Sequence, residues 1–353
     1  MPRFVAAAIS GAVLLLCGAH APASAQAPLF SDHSELPILI EGPIGAIVRT
    51  AARSTDPHPA VATITPEASA AERFEIQLSP RGVSRRTGGI CNFPPLRLDF
   101  DRTSGTYMRG QNRLKLVTRC RTGAQYEQVT VLEYLAYRLY NEITPMSLRV
   151  RPARVTYRDN EGRRREETQF NFLVEDIDDV ARRNGRLTAI EVRTAEVRSA
   201  DLAPAAAADY ALFQYMIGNL DWDMTEGRAN EECCHNSKLL AANAEARSNV
   251  IPVPYDFDHS GLVDAPYATP PAGIDVASVR TRVYRGYCRH NAQLPAAVER
   301  FRARRAALLA IVDNEPRLSQ ANRRSARRYI EDFFAVLDDP QRFDRQIVQR
   351  CRG

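Results

Sequence analysis

The sequence has no pair of cysteines at CxxC spacing, no repeat of fixed period and, beyond its first residues, no apolar run approaching the length of a membrane span. Each absence excludes a class. Without CxxC spacing, the seven cysteines do not read as a structural zinc site. Without a repeat, solenoids and propellers fall away. Without a second apolar run, no permanent transmembrane anchor is expected. Strong charge of one sign is missing too, since 47 basic residues face 42 acidic ones for a net charge of +5. The arginines are scattered and Arg163-Arg164-Arg165 reads as a solvated turn, so no basic patch calls for nucleic acid.

What is present begins at the N-terminus. Arg3, an apolar stretch over residues 4–16 and Ala23-Ser24-Ala25 before Gln26 predict a secretory signal cleaved after Ala25. Cys17 follows Leu14-Leu15-Leu16, and a bulky leucine directly before the cysteine is unlike a lipobox. Removing residues 1–25 leaves an even set of cysteines in a chain bound for the periplasm or the medium, where disulfides form. The expectation is a staple in the N-terminal half from Cys91 and Cys120, and bridges in the C-terminal half among Cys233, Cys234, Cys288 and Cys351. The sequence does not choose among the connectivities.

Residues 26–72 form an extension rich in Pro, Ala and Ser with a weak strand signal at Leu36-Pro37-Ile38-Leu39-Ile40. Residues 73–176 then read as a strand-rich region. Phe74-Glu75-Ile76-Gln77-Leu78 and Leu96-Arg97-Leu98-Asp99-Phe100 alternate, and Leu114-Lys115-Leu116-Val117 makes another strand. Pro80-Arg81-Gly82 and Thr87-Gly88-Gly89 supply the turns. Leu132, Leu135, Ala136, Leu139 and Ile143 follow helical spacing, stopped by Thr144-Pro145. Strands over 148–157 and 170–174 follow, joined by Asp159-Asn160-Glu161-Gly162. Residues 177–353 read as helices, marked by Tyr210, Phe213 and Ile217 before Gly218, by Val298, Phe301, Leu308 and Val312, and by Tyr329, Ile330, Phe333 and Leu337. The expected fold class is α+β, in the outline of a bilobal protein kinase with a strand-rich N-lobe, one long helix and a helical C-lobe.

The densest polar segments are Gly218-Asn219-Leu220-Asp221-Trp222-Asp223, Cys233-Cys234-His235-Asn236 and Tyr255-Asp256-Phe257-Asp258-His259. Each follows an apolar run, where loops present side chains to a ligand. Phosphoryl transfer needs a carboxylate to orient the attacking hydroxyl, an Asn and an Asp to hold Mg²⁺, and a cation for the donor's oxygens. Asp221, Asn236 and Asp256 supply the first three in the chain order that kinases use. Taken singly, each is an ordinary cap or turn residue; the joint occurrence carries the reading.

From Arg81 to Leu262 the chain resembles the spore-coat-protein CotH kinase family, atypical secreted or surface-associated proteins. The likeness lies in Arg81-Gly82-Val83-Ser84-Arg85, Arg113-Leu114-Lys115-Leu116, Phe172-Leu173-Val174-Glu175-Asp176-Ile177-Asp178, Gly218-Asn219-Leu220-Asp221-Trp222 and Val253-Pro254-Tyr255-Asp256-Phe257-Asp258. The resemblance implies Asp221 as catalytic aspartate, Asn236 and Asp256 as ligands of Mg²⁺ or Mn²⁺, and Glu175 as a nucleotide-hinge residue. It also implies that Lys115 contacts the phosphates of ATP, held by Glu133 on the long helix. Asp258 would take a second metal or a water. With no GxGxxG loop, the phosphate-covering turn falls to Arg81-Gly82. Fourteen residues, 222–235, separate Asp221 from Asn236, where compact catalytic loops have about four. The implied activity is transfer of a phosphoryl or nucleotidyl group to a hydroxyl of a protein in the envelope or medium. The alternative is a kinase-like binding protein of the envelope without turnover. Residues 256–264 also echo the DxDGTLxD nucleophile motif of haloacid-dehalogenase-type phosphatases, but that motif belongs near the start of a parallel α/β sheet, and here only helical pattern follows it.

Overall fold

A computed structural model describes residues 28–353 apart from 68, 87, 88, 186 and 229–232, together with residue 1. The expected signal peptide, beyond its first residue, and the Thr87-Gly88 part of the expected turn lie outside the described residues.

Seven strands follow from period-two alternation: β1 (Leu36–Gly42), β2 (His58–Ile64), β3 (Glu72–Pro80), β4 (Leu96–Phe100), β5 (Arg113–Val117), β6 (Val150–Asp159) and β7 (Glu167–Val174). A seven-residue helix α1 (Ile44–Thr50) lies between β1 and β2, and the twenty-residue helix α2 (Ala124–Ile143) between β5 and β6. The strands close into a barrel in the order β1-β2-β3-β4-β5-β7-β6. Closure is made by β1, antiparallel to β2 on one side and parallel to β6 on the other, in register from Leu36↔Ala153 to Gly42↔Asp159. The inward set of alternate residues fills the interior: Leu36, Ile38 and Ile40, then Phe74, Ile76 and Leu78, Leu96, Leu98 and Phe100, Leu114 and Leu116, Val155 and Tyr157. Cys91 and Cys120 are bonded beside the barrel across 29 positions of chain.

The second half holds α3 (Ile177–Arg183), β8 (Thr188–Ile190), α4 (Pro204–Ile217), β9 (Ser237–Ala241), β10 (Ile251–Pro254), α5 (Leu294–Asp313), α6 (Gln320–Leu337) and α7 (Pro340–Gln346). The three short strands make an antiparallel sheet in the order β10-β9-β8. A second bridge, Cys288–Cys351, ties the chain before α5 to the C-terminus, and the neighbours Cys233 and Cys234 are bonded to each other. A large apolar core joins α2 to α4, α5, α6 and the small sheet. No helix among the described residues is long and apolar enough to cross a membrane.

This corrects the expected fold. The chain is not a bilobal kinase-like protein with a strand-rich lobe over 73–176 and a helical lobe over 177–353. The strands form a closed mixed barrel that recruits β1 and β2 from the supposed extension, and a sheet stands among the later helices. The physical reason is the edge problem. An open sheet from β3 to β6 would expose unpaired backbone on both outer strands, and β1 with β2 satisfies both edges at once.

Candidate functional site

The loop after α4 is set by backbone conformation. Gly218 caps the helix at φ 64°, the left-handed conformation that costs glycine least. A Cβ there would also run into the Tyr329 hydroxyl. The Asn219 side chain then accepts the Asp221 N–H at 3.0 Å, and the buried Trp222 indole donates to the Asn219 carbonyl at 2.9 Å. Asp221 is thereby aimed toward the segment following the Cys233–Cys234 bridge. On the other wall, the chain leaves β10 into Asp256, whose φ is 64° and whose N–H donates to the Tyr137 hydroxyl of α2 at 2.9 Å. Phe257 anchors this turn against Tyr137, with ring centroids 4.6 Å apart.

These loops line one cavity of about 300 Å³, shared by Arg81, Asp221, His235, Asn236, Asp256 and Asp258. Lys115 reaches the same region, its Nζ 4.8 Å from the centre of the Tyr255 ring in the cavity wall. The structure thus gathers Arg81, Lys115, Asp221, Asn236, Asp256 and Asp258 around one space. It does not bring Glu175 there. That carboxylate pairs with Arg183 at 3.0 Å and accepts the Arg149 N–H at 2.9 Å, locking the exit of β7 to the start of β6. Nor does Glu133 hold Lys115. Its partner is Arg85, at 3.5 Å, which also donates to the Thr118 carbonyl.

Three partners, Arg228, His235 and Arg85, were not among the candidate residues. The Asp221 Oδ1 accepts from Arg228 at 2.7 Å and meets His235 Nε2 at 2.8 Å, while the Asn236 amide donates to the Asp221 carbonyl at 2.7 Å. Burial alone would raise the Asp221 carboxyl, but His235 and Arg228 outweigh it and hold the group well below the usual carboxylate range. The third is Arg85, and its only sequence signal was membership of the Arg81–Arg85 turn. His235 stood in the polar segment 233–236 but by itself reads as a surface or hydrogen-bonded histidine; Arg228 had no signal.

Behind the cavity lies a second layer of charge. Glu133 and Asp258 are both deeply buried. Burial pushes the Glu133 carboxyl well up, and Asp258 and Asp256 add to the rise against Arg85. Asp258 is raised by burial and by Asp256, although Tyr267 donates to it at 3.1 Å. The Glu133 Oε1 is buried with no hydrogen-bond partner. Lys115 keeps some contact with solvent, yet desolvation, with Arg81 and Lys238 nearby, lowers its ammonium to about 7.

A scan against protein-family models finds no match, and a search of curated proteins finds none either. The site must be judged by its chemistry.

The donor set fits a hard cation. Asp256, Asp258 and the Asn236 amide offer oxygen donors, and beside them lies a buried carboxylate oxygen of Glu133 without a hydrogen-bond partner. No group of three His, Cys, Asp or Glu among the described residues forms a cage for a metal. Mg²⁺ does not require one, since it keeps several waters and is bound through one or two carboxylates plus substrate phosphates. Zinc fits poorly, because the cysteines near the site are joined to each other.

Proposed function

We propose that this chain is a Mg²⁺- or Mn²⁺-dependent transferase that moves a phosphoryl or nucleotidyl group from ATP to a hydroxyl of an envelope or secreted protein. The observation that carries the reading is the meeting of Asp221, Asn236, Asp256 and Asp258 with Arg81 around one cavity, from loops far apart in the chain. Motif resemblance to the CotH kinases supports it independently of the overall fold. Asp256, Asp258 and Asn236 would hold the divalent cation, which when bound neutralises phosphate charge. Arg81 and Lys115 would hold the donor's oxygens. Asp221, kept ionised by Arg228 and His235, orients the acceptor hydroxyl rather than competing strongly for its proton, which suits a loose transition state needing little base.

A second reading has one observation in its favour. The Asp221 carboxylate is already engaged by Arg228 and His235, as in a protein that binds nucleotide or partner without turnover. A thermal-shift titration tests the binding step common to catalysis, since a ligand specific for the folded state raises apparent stability. Stabilisation by ATP with Mg²⁺, and not by either alone, is expected. No shift under any of these conditions removes the transferase.

A further inference from the structure

The cavity at Asp221 does not end there. A second cavity, of about 520 Å³, shares Asp221, Arg228 and His235 with the first and runs past Trp222 toward residues 271–274. A third, of about 690 Å³, shares Gly273, Ile274 and Arg285 with the second. The three make one trough leading away from the carboxylates.

The balance of charge shifts along that trough. At the near end stand Asp221, Asp223 and the exposed Glu226, with Arg228 and His235 paired to Asp221. At the far end, five arginines, 282, 285, 345, 350 and 352, face the single carboxylate Asp275. Three of the five are engaged within the fold. Arg282 donates to the Met216 carbonyl, Arg285 to the Trp222 carbonyl, and Arg352 pairs with Asp223 at 2.6 Å. Even so, the Arg352 Nη2 is buried without a partner. Arg345 and Arg350 are exposed and make no ion pair among the described residues.

We propose that the far basin is the acceptor-binding site, and that it takes an acidic stretch of polypeptide lying a few residues from the hydroxyl presented to Asp221. The proposal deepens the transferase reading and rests on it for the meaning of the hydroxyl. A polypeptide fits better than nucleic acid. A uniform polyanion would lay phosphates against Glu226 at the near end, whereas a peptide carries its acidic residues only where the arginines are.

The test is fluorescence anisotropy with the oxidised protein and labelled peptides, without nucleotide or divalent cation. One peptide has a run of glutamates on one side of a single serine, starting a few residues from it, a second replaces those glutamates by glutamines, and an oligothymidylate serves as the polyanion. The acidic peptide should bind at least about tenfold more tightly than the neutral one, with an advantage that shrinks as salt is raised. The double variant Arg345→Glu with Arg350→Glu should remove that advantage, and Arg345→Lys with Arg350→Lys should keep most of it. Both positions are exposed, so circular dichroism should show the fold unchanged. Equal binding of the two peptides, an unaffected charge-reversal variant, or tighter binding of the oligothymidylate would each overturn the proposal. Because no transfer is needed for the readout, selective peptide binding by a protein that never labels a substrate would sink the transferase alone.

Discussion

Replacing Arg85 by methionine is expected to destabilise the protein by up to about 4 kcal/mol at neutral pH and above, and by much less near pH 4. Arg85 is the cation paired with Glu133, and both side chains are buried. Without it the carboxylate must either stay buried and unpaired or take up a proton. Holding Glu133 protonated at pH 7, against an unfolded value of about 4.3, costs about 1.4 kcal/mol per unit, or up to about 4 kcal/mol. Part of that cost is already borne by the wild type, because the Glu133 carboxyl is raised in the native state. A carboxyl raised on folding contributes stability that is fully present below its unfolded value and is lost as the pH climbs through the folded one. Both proteins lose stability alike up to the wild-type Glu133 value, so the gap between them should open only above it, where the variant's carboxyl, no longer held down by Arg85, is raised further. Urea unfolding at several pH values, with disulfides intact, provides the assay. At a slope of about 3 kcal/mol per molar, the midpoint at neutral pH and above should fall by up to about 1 M. Adding Glu133→Leu to Arg85→Met should recover most of the loss, since an apolar replacement of both partners is often neutral. A deficit independent of pH, or a double variant no better than the single one, would refute the pairing.

Three further outcomes are expected. Losing the Cys288–Cys351 bridge by serine substitution should cost about 4 kcal/mol from a loop of 63 positions, seen as a lower thermal midpoint that reduction no longer shifts as far. Gly218→Ala should lower stability by more than the 1–2 kcal/mol or so of a left-handed backbone, and Tyr329→Phe in the same chain should return part of it by removing the obstructing hydroxyl. ATP affinity should weaken as pH rises from 6 to 8.5, because Lys115 loses its proton near 7, and Lys115→Arg should flatten that profile in a calorimetric titration.

Much of the local structure was legible. The alternation at Phe74, Ile76 and Leu78 became β3, and residues 96–100 became β4 with the bounds read from the sequence. The stripe of Leu132, Leu135, Ala136 and Leu139 is the buried face of α2. What the pattern could not show was closure. β2 places Ala60 and Ala62 inward, too small to announce a strand, and the parallel pairing of β1 with β6 joins segments more than 100 residues apart. The small sheet was hidden for other reasons. β8 is three residues long, and β10 reads Ile-Pro-Val-Pro, which only an edge strand tolerates. In the candidate site, Asp221, Asn236, Asp256 and Asp258, which line one cavity, stood out in the sequence because polar residues after apolar runs are visible in one dimension. Their partners did not, since Arg85 meets Glu133 from 48 positions away and Arg228 meets Asp221 through the fold of an irregular loop. Glu175 lies away from that cavity, its partner Arg183 being the last residue of α3.

The most direct measurement is transfer itself. The oxidised protein is incubated with labelled ATP, Mg²⁺ or Mn²⁺ and envelope extract, beside Asp256→Asn, and label on protein is counted. The account expects label with the wild type, dependent on the divalent cation, and a loss of at least about a hundredfold in the variant, as befits removal of a metal-holding carboxylate. Equal label from both proteins, or none from either, would contradict it.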